Sequence, residues 1–530
     1  MYHRTAIDHL SVRSPSINSS LVMTSLDNNL IPHNPVLVLG DGPVIALVAQ
    51  PGDEAFGCGG ALARHVQAGD QVVVVVASGN ETSSVEIPSI TESRACATCL
   101  GYDDIRFWSV SSAHLAYDEG SVRRVMQLIA EIDAALLYAP FPEDPDPVRA
   151  RWGLIARESV RRAAGRCCLA AYEIGVPLTP NRLLDITTTL ERKQQAMACF
   201  QSRLTTPLDQ QTLALNRVRT FNLPASIAAA EGYWLAASAE IPDCLPGLAA
   251  RPFRCAFQPT IAPGSLVSVV IRSAGRVTLD EALDSIAAQT YRHVEVILVD
   301  VTGCMALTLP DWCGEFPLRR VSTGAPLGRG AAANVGLAAA SGEFVIFLDD
   351  DDWFLPEHLA GLVEAIKTAD GASAAYAGVE CRTQGADGER RVLHVFNESH
   401  DPVRLLVENY LPIHAVLFSR HLLGDDLHFD EALFVYEDWD FWIQLSALTD
   451  LVHVNAVTAV YRIAQSSGFG IRHADPAVEH GRAALFAKWR SRWSLEQLMV
   501  IADYAKHRSM YLELRERGER DVMQMSDLYK

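Results

Sequence analysis

The sequence predicts an α/β protein of two domains: an N-terminal Rossmann-like domain and a C-terminal domain built on a second parallel sheet, with a helical C-terminal extension. Three observations carry this expectation. Short β-branched runs alternate with longer helical patterns from Val44 and again from Leu266, which is the grammar of βαβ units. A stretch with five prolines and little periodicity, Ala239–Ser265, separates the two series. At 530 residues and 49% hydrophobic content, the chain exceeds what one compact core usually holds, and two domains of about 200 residues each account for most of it.

Residues 1–40 are rich in Ser, Asn and His and lack a basic stretch followed by an apolar one, so they read as a flexible leader and not a signal peptide. The first domain is expected over 41–238. Val44–Ala49, Gln71–Ala77, Ile105–Trp108, Ala135–Tyr138 and Cys168–Tyr172 have the length and composition of buried strands. Ala61–Ala68, Glu92–Leu100, Val122–Ile132 and Ile155–Ala164 read as the helices between them, and Leu190–Phe200 as a later one. Residues 239–265 are expected to be a linker. The second domain, 266–465, opens with strand Val267–Ile271, helix Leu279–Ala288, strand Val294–Asp300, helix Gly330–Ala339 and strand Phe344–Leu348. From 466 to 530 a mostly helical extension is expected, with Val478–Arg517 carrying charge on one side and Leu, Met and Tyr on the other.

Composition excludes several function classes. Lys and Arg number 45 against 64 Asp and Glu, so the net charge is 45 − 64 = −19. Such a surface repels phosphate backbones and anionic lipid, so no nucleic-acid partner is expected. No run approaches the roughly 18 apolar residues of a membrane span. The eleven cysteines are scattered, which fits reduced thiols in a cytoplasmic protein, with contact to a membrane only through its acceptor.

Two clusters carry chemistry in the second domain. Asp349-Asp350-Asp351-Asp352 directly follows an apolar strand, which places four carboxylates at the C-terminal edge of a parallel sheet, where open α/β sheets bind ligands. Such a cluster calls for solvent or a divalent cation, and Mg²⁺ or Mn²⁺ held by one or two carboxylates plus substrate phosphates is the usual arrangement. Further on, Phe429-Asp430-Glu431 precedes Tyr436-Glu437-Asp438-Trp439-Asp440-Phe441-Trp442.

These pieces occur in register with Val267–Arg276, Gln289-Thr290-Tyr291, Val294–Asp300 and Gly328–Gly336, and together the segment Leu266–Ile463 resembles the family 2 glycosyltransferases with the GT-A fold. The resemblance implies transfer of a sugar from a nucleotide diphosphate donor, UDP-linked by expectation, to a hydroxyl of a glycan, lipid-linked or small-molecule acceptor, as in polysaccharide biosynthesis. By position, Asp349 and Asp351 match the D-x-D, with Asp349 beside the ribose and Asp351 on the metal; both are carried over as metal ligands. Asp300 matches the acid that reads the base, Ser273 lies on the first nucleotide-contacting loop, and Asn334 falls on the donor side. Asp438, with Glu437 beside it, matches the base that deprotonates the acceptor for inverting displacement. Arg272, Ala274 and Gly275 stand where Pro, Tyr and Asn are common in the family, Val301 replaces a frequent Asp, and Ala333 a frequent Arg.

In the first domain, strand Val44–Ala49 runs into Gln50-Pro51-Gly52-Asp53-Glu54-Ala55-Phe56-Gly57-Cys58-Gly59-Gly60. The glycines lack the spacing of either phosphate-binding fingerprint. With Ser78-Gly79-Asn80-Glu81, Glu92-Ser93-Arg94 and Lys193-Gln194-Gln195-Ala196, the segment Val44–Tyr233 resembles the PIG-L (GlcNAc-PI deacetylase-like) family, whose motif is A-H-P-D-D-E and whose later H-P-D-H supplies a third zinc ligand. Here Gln50 stands at the His ligand, Gly52 at the general base, and Asp144-Pro145-Asp146-Pro147 at the H-P-D-H. Asp53 alone remains of the ligand set. Zinc is therefore not expected, since its sites take three or four His, Cys or carboxylate ligands. A module that has lost catalysis is the expected reading. Alternatives are an altered hydrolase using His65 or His114, which would make the chain a bifunctional deacetylase and transferase, a sugar-recognition module, or a wholly non-catalytic scaffold. Oligomeric state is open.

Overall fold

The computed structural model describes residues 35–77, 88–108, 115–163, 165, 167–201, 207–243, 245–250, 265–304, 310–384, 390–424, 427–463, 476–504 and 506. The first domain contains strands β1 Val44–Val48, β2 Val72–Val76, β3 Asp104–Phe107, β4 Leu136–Pro140, β5 Cys168–Tyr172, β6 Arg182–Asp185 and β7 Ala230–Ala237. Its helices are α1 Asp53–Ala68, α2 Pro88–Leu100, α3 Glu119–Ile132, α4 Pro147–Arg162, α5 Leu190–Ala198 and α6 Leu208–Val218. The strand order is β3-β2-β1-β4-β5-β7-β6, parallel through β5 and antiparallel beyond it. Sheet growth reverses at β1, so the crevice at the C-terminal ends of β1 and β4 is the switch point where such sheets bind ligands.

Helices on both faces explain why β1 and β2 are uninterrupted apolar runs. Ile45 and Leu47 enter one hydrophobic cluster while Val44, Ala46 and Val48 enter the other. Helix α1 begins eight residues before the predicted Ala61, inside the glycine-rich stretch, and kinks at Cys58 (φ −135°, ψ 17°). The kink exposes backbone N–H groups, and the buried Glu231 carboxylate accepts from Gly60 N (2.8 Å) and Ala61 N (2.9 Å) while pairing with Lys193 Nζ at 2.6 Å. The glycines are required here: a Cβ on Gly57 would lie 2.3 Å from the Tyr172 ring, and one on Gly60 2.5 Å from Ile186.

The second domain has strands β8 Val267–Ser273, β9 Val294–Asp300, β10 Trp312–Cys313, β11 Phe316–Ser322, β12 Phe344–Asp349, β13 Trp353–Phe354, β14 Ala374–Gln384, β15 Arg390–Phe396, β16 Val416–Ser419 and β17 Leu451–Ile463. Its helices are α7 Leu279–Ala287, α8 Arg329–Ala339, α9 His358–Thr368, α10 Pro402–Leu405, α11 Glu437–Ser446 and α12 Pro476–Trp489. The sheet runs β10-β11-β9-β8-β12-β16-β14-β17-β13, with β15 on β14. Strands β11, β9, β8 and β12 are parallel, and growth reverses at β8. Register sets the site: Asp349 lies opposite Arg272, and Ser273 opposite Asp300.

The Pro-rich segment is not free over its first part. Asp284 of α7 accepts from Gly247 N (2.7 Å) and Ala249 N (2.8 Å), and Leu248 is buried. The predicted C-terminal helix breaks after Trp489, and Ser494 and Gln497 form reciprocal bonds (2.9 and 3.1 Å) that start a second helix. Among the described residues no helix is long and apolar enough to cross a membrane.

Candidate active site

Strand β12 delivers the aspartate cluster to the edge of the second sheet, and the four carboxylates go to four different surroundings. Asp349 is gripped by Arg272: Nε donates to Oδ1 at 2.8 Å and Nη2 to Oδ2 at 2.9 Å. Burial pushes the Asp349 carboxyl up, but the guanidinium outweighs it and the net shift is downward. Asp350 is buried and accepts from Ser273 Oγ (2.7 Å), Ala274 N (2.9 Å) and Arg276 (2.8 Å), so it pins the loop after β8. The Asp351 carboxylate accepts from the Arg276 guanidinium at 2.9 Å, a side chain 51% exposed. Burial, then the charges of Asp349 and Asp350, raise its pKa. Asp352 is buried beside His414 (3.4 Å), where burial raises the acid and lowers the imidazole to about 4. Burial thus disfavours the charged form of both groups. Beneath them His358, lowered to about 3 by burial, bonds Thr458 Oγ1 at 2.7 Å.

Helix α11 brings the second acidic group across from this cluster. Tyr436 precedes it in the left-handed conformation (φ 69°), a strained backbone for a non-glycine residue at a site. Glu437 is buried and bonds Arg272 Nη1 at 2.9 Å. Asp438 accepts from Trp439 N (2.7 Å) and Asn409 Nδ2 (3.2 Å). Its pKa is raised to about 7, by burial first and by Glu437 second. A carboxyl poised there suits general-base chemistry at neutral pH.

The remaining predicted donor contacts are engaged within the protein. Asp300 is fully buried and accepts from Thr302 N and Oγ1, Gly303 N, Arg320 Nη2 (3.0 Å) and Ser322 Oγ (3.1 Å). Ser273 Oγ supports Asp350 and accepts from Gly275 N at 2.9 Å. Asn334 bonds Phe429 through both its amide atoms (3.0 Å each) and Glu431 (3.0 Å), so it acts as a latch on the segment leading to α11. Of the expected metal ligands, Asp351 bonds the half-exposed Arg276 through Oδ2, whereas both oxygens of Asp349 are taken by Arg272. Among the described residues no group of three or more His, Cys, Asp or Glu surrounds a common metal position. A hard cation held by one carboxylate and substrate phosphates needs no such group, so Asp351 fits that role.

In the first domain, the crevice between β1 and β4 holds a guanidinium beside the one carboxylate retained from the expected ligand set. Arg149, in the first turn of α4, donates from Nε (3.1 Å) and Nη2 (3.0 Å) to the fully buried Asp53 and lies 3.9 Å from Asp144. Gln50 donates to Asp146 at 3.1 Å, and Asp146 caps α4 through Val148 N and Arg149 N. His65 spends both ring nitrogens, on Asp70 (2.7 Å) and Tyr138 (2.8 Å), so it is a core residue and not a replacement ligand. His114 and Ser78-Gly79-Asn80-Glu81 lie outside the described residues. These residues do not fit zinc: the one retained carboxylate is neutralised by an arginine. Sequence reasoning missed Arg149, although a basic residue one turn after Asp144 and Asp146 is a legible signal, and treated Arg272 only as a departure from pattern, because its pairing with Asp349 comes from strand register.

Residues 268–425 match the family model Glycosyl transferase family 2, and residues 45–149 match GlcNAc-PI de-N-acetylase. The uncharacterized glycosyltransferase YwdF of Bacillus subtilis (strain 168) is 28% identical over 37% of this chain and 73% of its own length. The succinoglycan biosynthesis protein ExoO of Rhizobium meliloti (strain 1021) is 29% identical over 31% of this chain and 50% of its own. The O-antigen biosynthesis protein RfbC of Myxococcus xanthus is 30% identical over 40% and 17%. The chain therefore spans half or less of the length of the last two. Among solved structures, TarS 1-349 of S. aureus in complex with UDP-GlcNAc is 19% identical, covering 45% of this chain and 71% of that one, with a TM-score of 0.36. N,N'-diacetylchitobiose deacetylase from Pyrococcus horikoshii is 18% identical over 37% and 84%, with a TM-score of 0.32.

Proposed function

The chain joins a PIG-L-type segment to a family 2 glycosyltransferase segment, and we propose that it transfers a sugar, with inversion, from a nucleotide diphosphate donor to an acceptor hydroxyl. A UDP-linked donor and a glycan or lipid-linked acceptor are the expected classes; relatives named for succinoglycan and O-antigen biosynthesis support a polysaccharide setting. One observation carries the reading. Asp438, a carboxyl with its pKa raised to about 7, sits beside Glu437, which Arg272 ties to Asp349 of the cluster at the ends of β8 and β12; a base and a donor-side acidic cluster are the two groups an in-line displacement needs.

Asp438 takes the acceptor proton, its oxygens being fixed by Trp439 N and Asn409. Asp350 and Ser273 hold the loop after β8 that borders the donor. When bound at Asp351, Mg²⁺ or Mn²⁺ would offset charge developing on the leaving diphosphate. The first domain is catalytically dead in this reading, which the Arg149–Asp53 pair supports over a bifunctional enzyme.

A screen of nucleotide sugars for metal-dependent donor hydrolysis tests the proposal. Turnover with at least one donor is expected, abolished by chelation and by Asp351→Ala with the melting temperature retained. Activity should rise with pH through about 7 as Asp438 loses its proton. An Asp438→Asn protein that turns over normally would overturn the assignment.

A further inference from the structure

Arg272 stands on β8, where its side chain is 5% exposed. Its fork closes on Asp349 from β12, and its remaining nitrogen reaches Glu437 from α11. One guanidinium therefore spans carboxylates from two elements, those carrying the donor-side cluster and the base. A planar fork can satisfy both at once, whereas an ammonium is a point charge.

We propose that Arg272 is a positioning residue that locks the Asp349 cluster and the Glu437–Asp438 pair into one register, so that base and donor are aligned before substrate arrives. The inference rests on the glycosyl-transfer reading above. Its logic is geometric: without Arg272, the buried Glu437 and the partly buried Asp349 would lose their shared cation and repel, moving α11 away from β12. It is also electrostatic. The charged groups set against Asp438 are Glu437 on its own helix, which disfavours its ionised form, and Arg272 from β8, which favours it; the Asn409 amide is neutral.

The test compares wild type with Arg272→Met, Arg272→Lys, Glu437→Gln and the Arg272→Met/Glu437→Gln double variant. Arg272→Met should lower kcat by about 100-fold, the scale of a 1 Å misplacement. It should also move the rising limb of the pH profile upward by about 1 unit or more. Glu437→Gln should move that limb downward, and the double variant should bring it back toward wild type. Arg272→Lys should keep the limb in place yet leave kcat low. An Arg272→Met protein with the wild-type limb and kcat within about 3-fold would overturn the proposal. Should Arg272→Met not fold, Arg272→Lys decides: wild-type kcat there removes any need for the fork. If wild type transfers no sugar from any donor, the functional reading falls separately. The pH of half-modification of Asp438 by a carbodiimide and amine, read by peptide mass spectrometry, then still reports on Arg272: an upward move in Arg272→Met, or in the equally uncharged Arg272→Gln if Arg272→Met does not fold, supports the coupling, and none refutes it.

Discussion

Arg149 and Arg272 each neutralise a buried carboxylate beside a sheet switch point, and the first has a consequence for stability that can be stated with a sign. Asp53 is fully buried with Arg149 on both oxygens. Arg149→Ala leaves that charge without its partner, which should cost about 3–5 kcal/mol. Replacing both, as Asp53→Ala with Arg149→Leu, removes the unpaired charge and should recover most of the loss. Urea unfolding of the two variants measures this, and equal losses would mean the pair is not coupled. Glu54, next in sequence, behaves oppositely. Burial first, with Asp53 adding, raises its carboxyl from 4.5 to about 7. Between those values the folded protein keeps a proton that the unfolded chain has released, so stability falls as pH rises across this window. The full effect is on the order of 3 kcal/mol. Glu54→Gln should lose this dependence, so its stability relative to wild type should grow from pH 5 to pH 8. Parallel curves for the two proteins would contradict the burial of this carboxyl.

Helix α8 supplies a case in which two roles for one side chain predict different measurements. Asn334 was expected among donor contacts, yet its amide closes on the backbone of buried Phe429 and on Glu431. Asn334→Ala would strand two backbone groups of Phe429, at about 1–3 kcal/mol, and loosen the approach to α11. A lower melting temperature with reduced kcat and little change in donor KM is expected. Raised donor KM at unchanged stability would instead make Asn334 a ligand contact. Strands such as β1, β2 and β12 were legible because both faces are covered, which leaves an apolar run of strand length that polar residues do not interrupt. The first half of α1 was not: Gly57, Gly59 and Gly60 lower helix propensity, and the helix exists there because Glu231, far along the chain, caps its kink. The antiparallel pair β6–β7 was missed for a related reason, since Arg182–Asp185 has too few residues to show alternation. The site divides in the same way. The aspartates and Glu437-Asp438 were visible as local clusters, whereas their partner Arg272 depends on strand register, which local spacing does not encode.

The two domains meet through arginines of α3 and α4. Arg151 bonds Glu315 at 2.8 Å, and Glu315 also takes Arg292 at 2.7 Å; Arg161 reaches Glu357, and Glu119 accepts from Thr290 at 2.9 Å. Helix α4 thus carries Arg149 to the Asp53 crevice and, on the next residues, the contacts to the second domain. Burial decides which of these pairs matter. Arg151 is 8% exposed and Glu315 23%, so removing Glu315 takes a charged partner from a nearly buried guanidinium, at a cost of several kcal/mol. Arg123 and Glu364 also bridge the domains at 2.8 Å, but at 54% and 55% exposure solvent and salt screen them, and such pairs are worth about 0–1 kcal/mol. In calorimetry the wild type should unfold as one cooperative unit. Glu315→Ala should split the transition or move it down by several degrees, while Glu364→Ala should leave it within about a degree. If the two variants melt alike, the buried arginine contacts do not couple the domains, and the first domain would be a passenger instead of a support for the transferase.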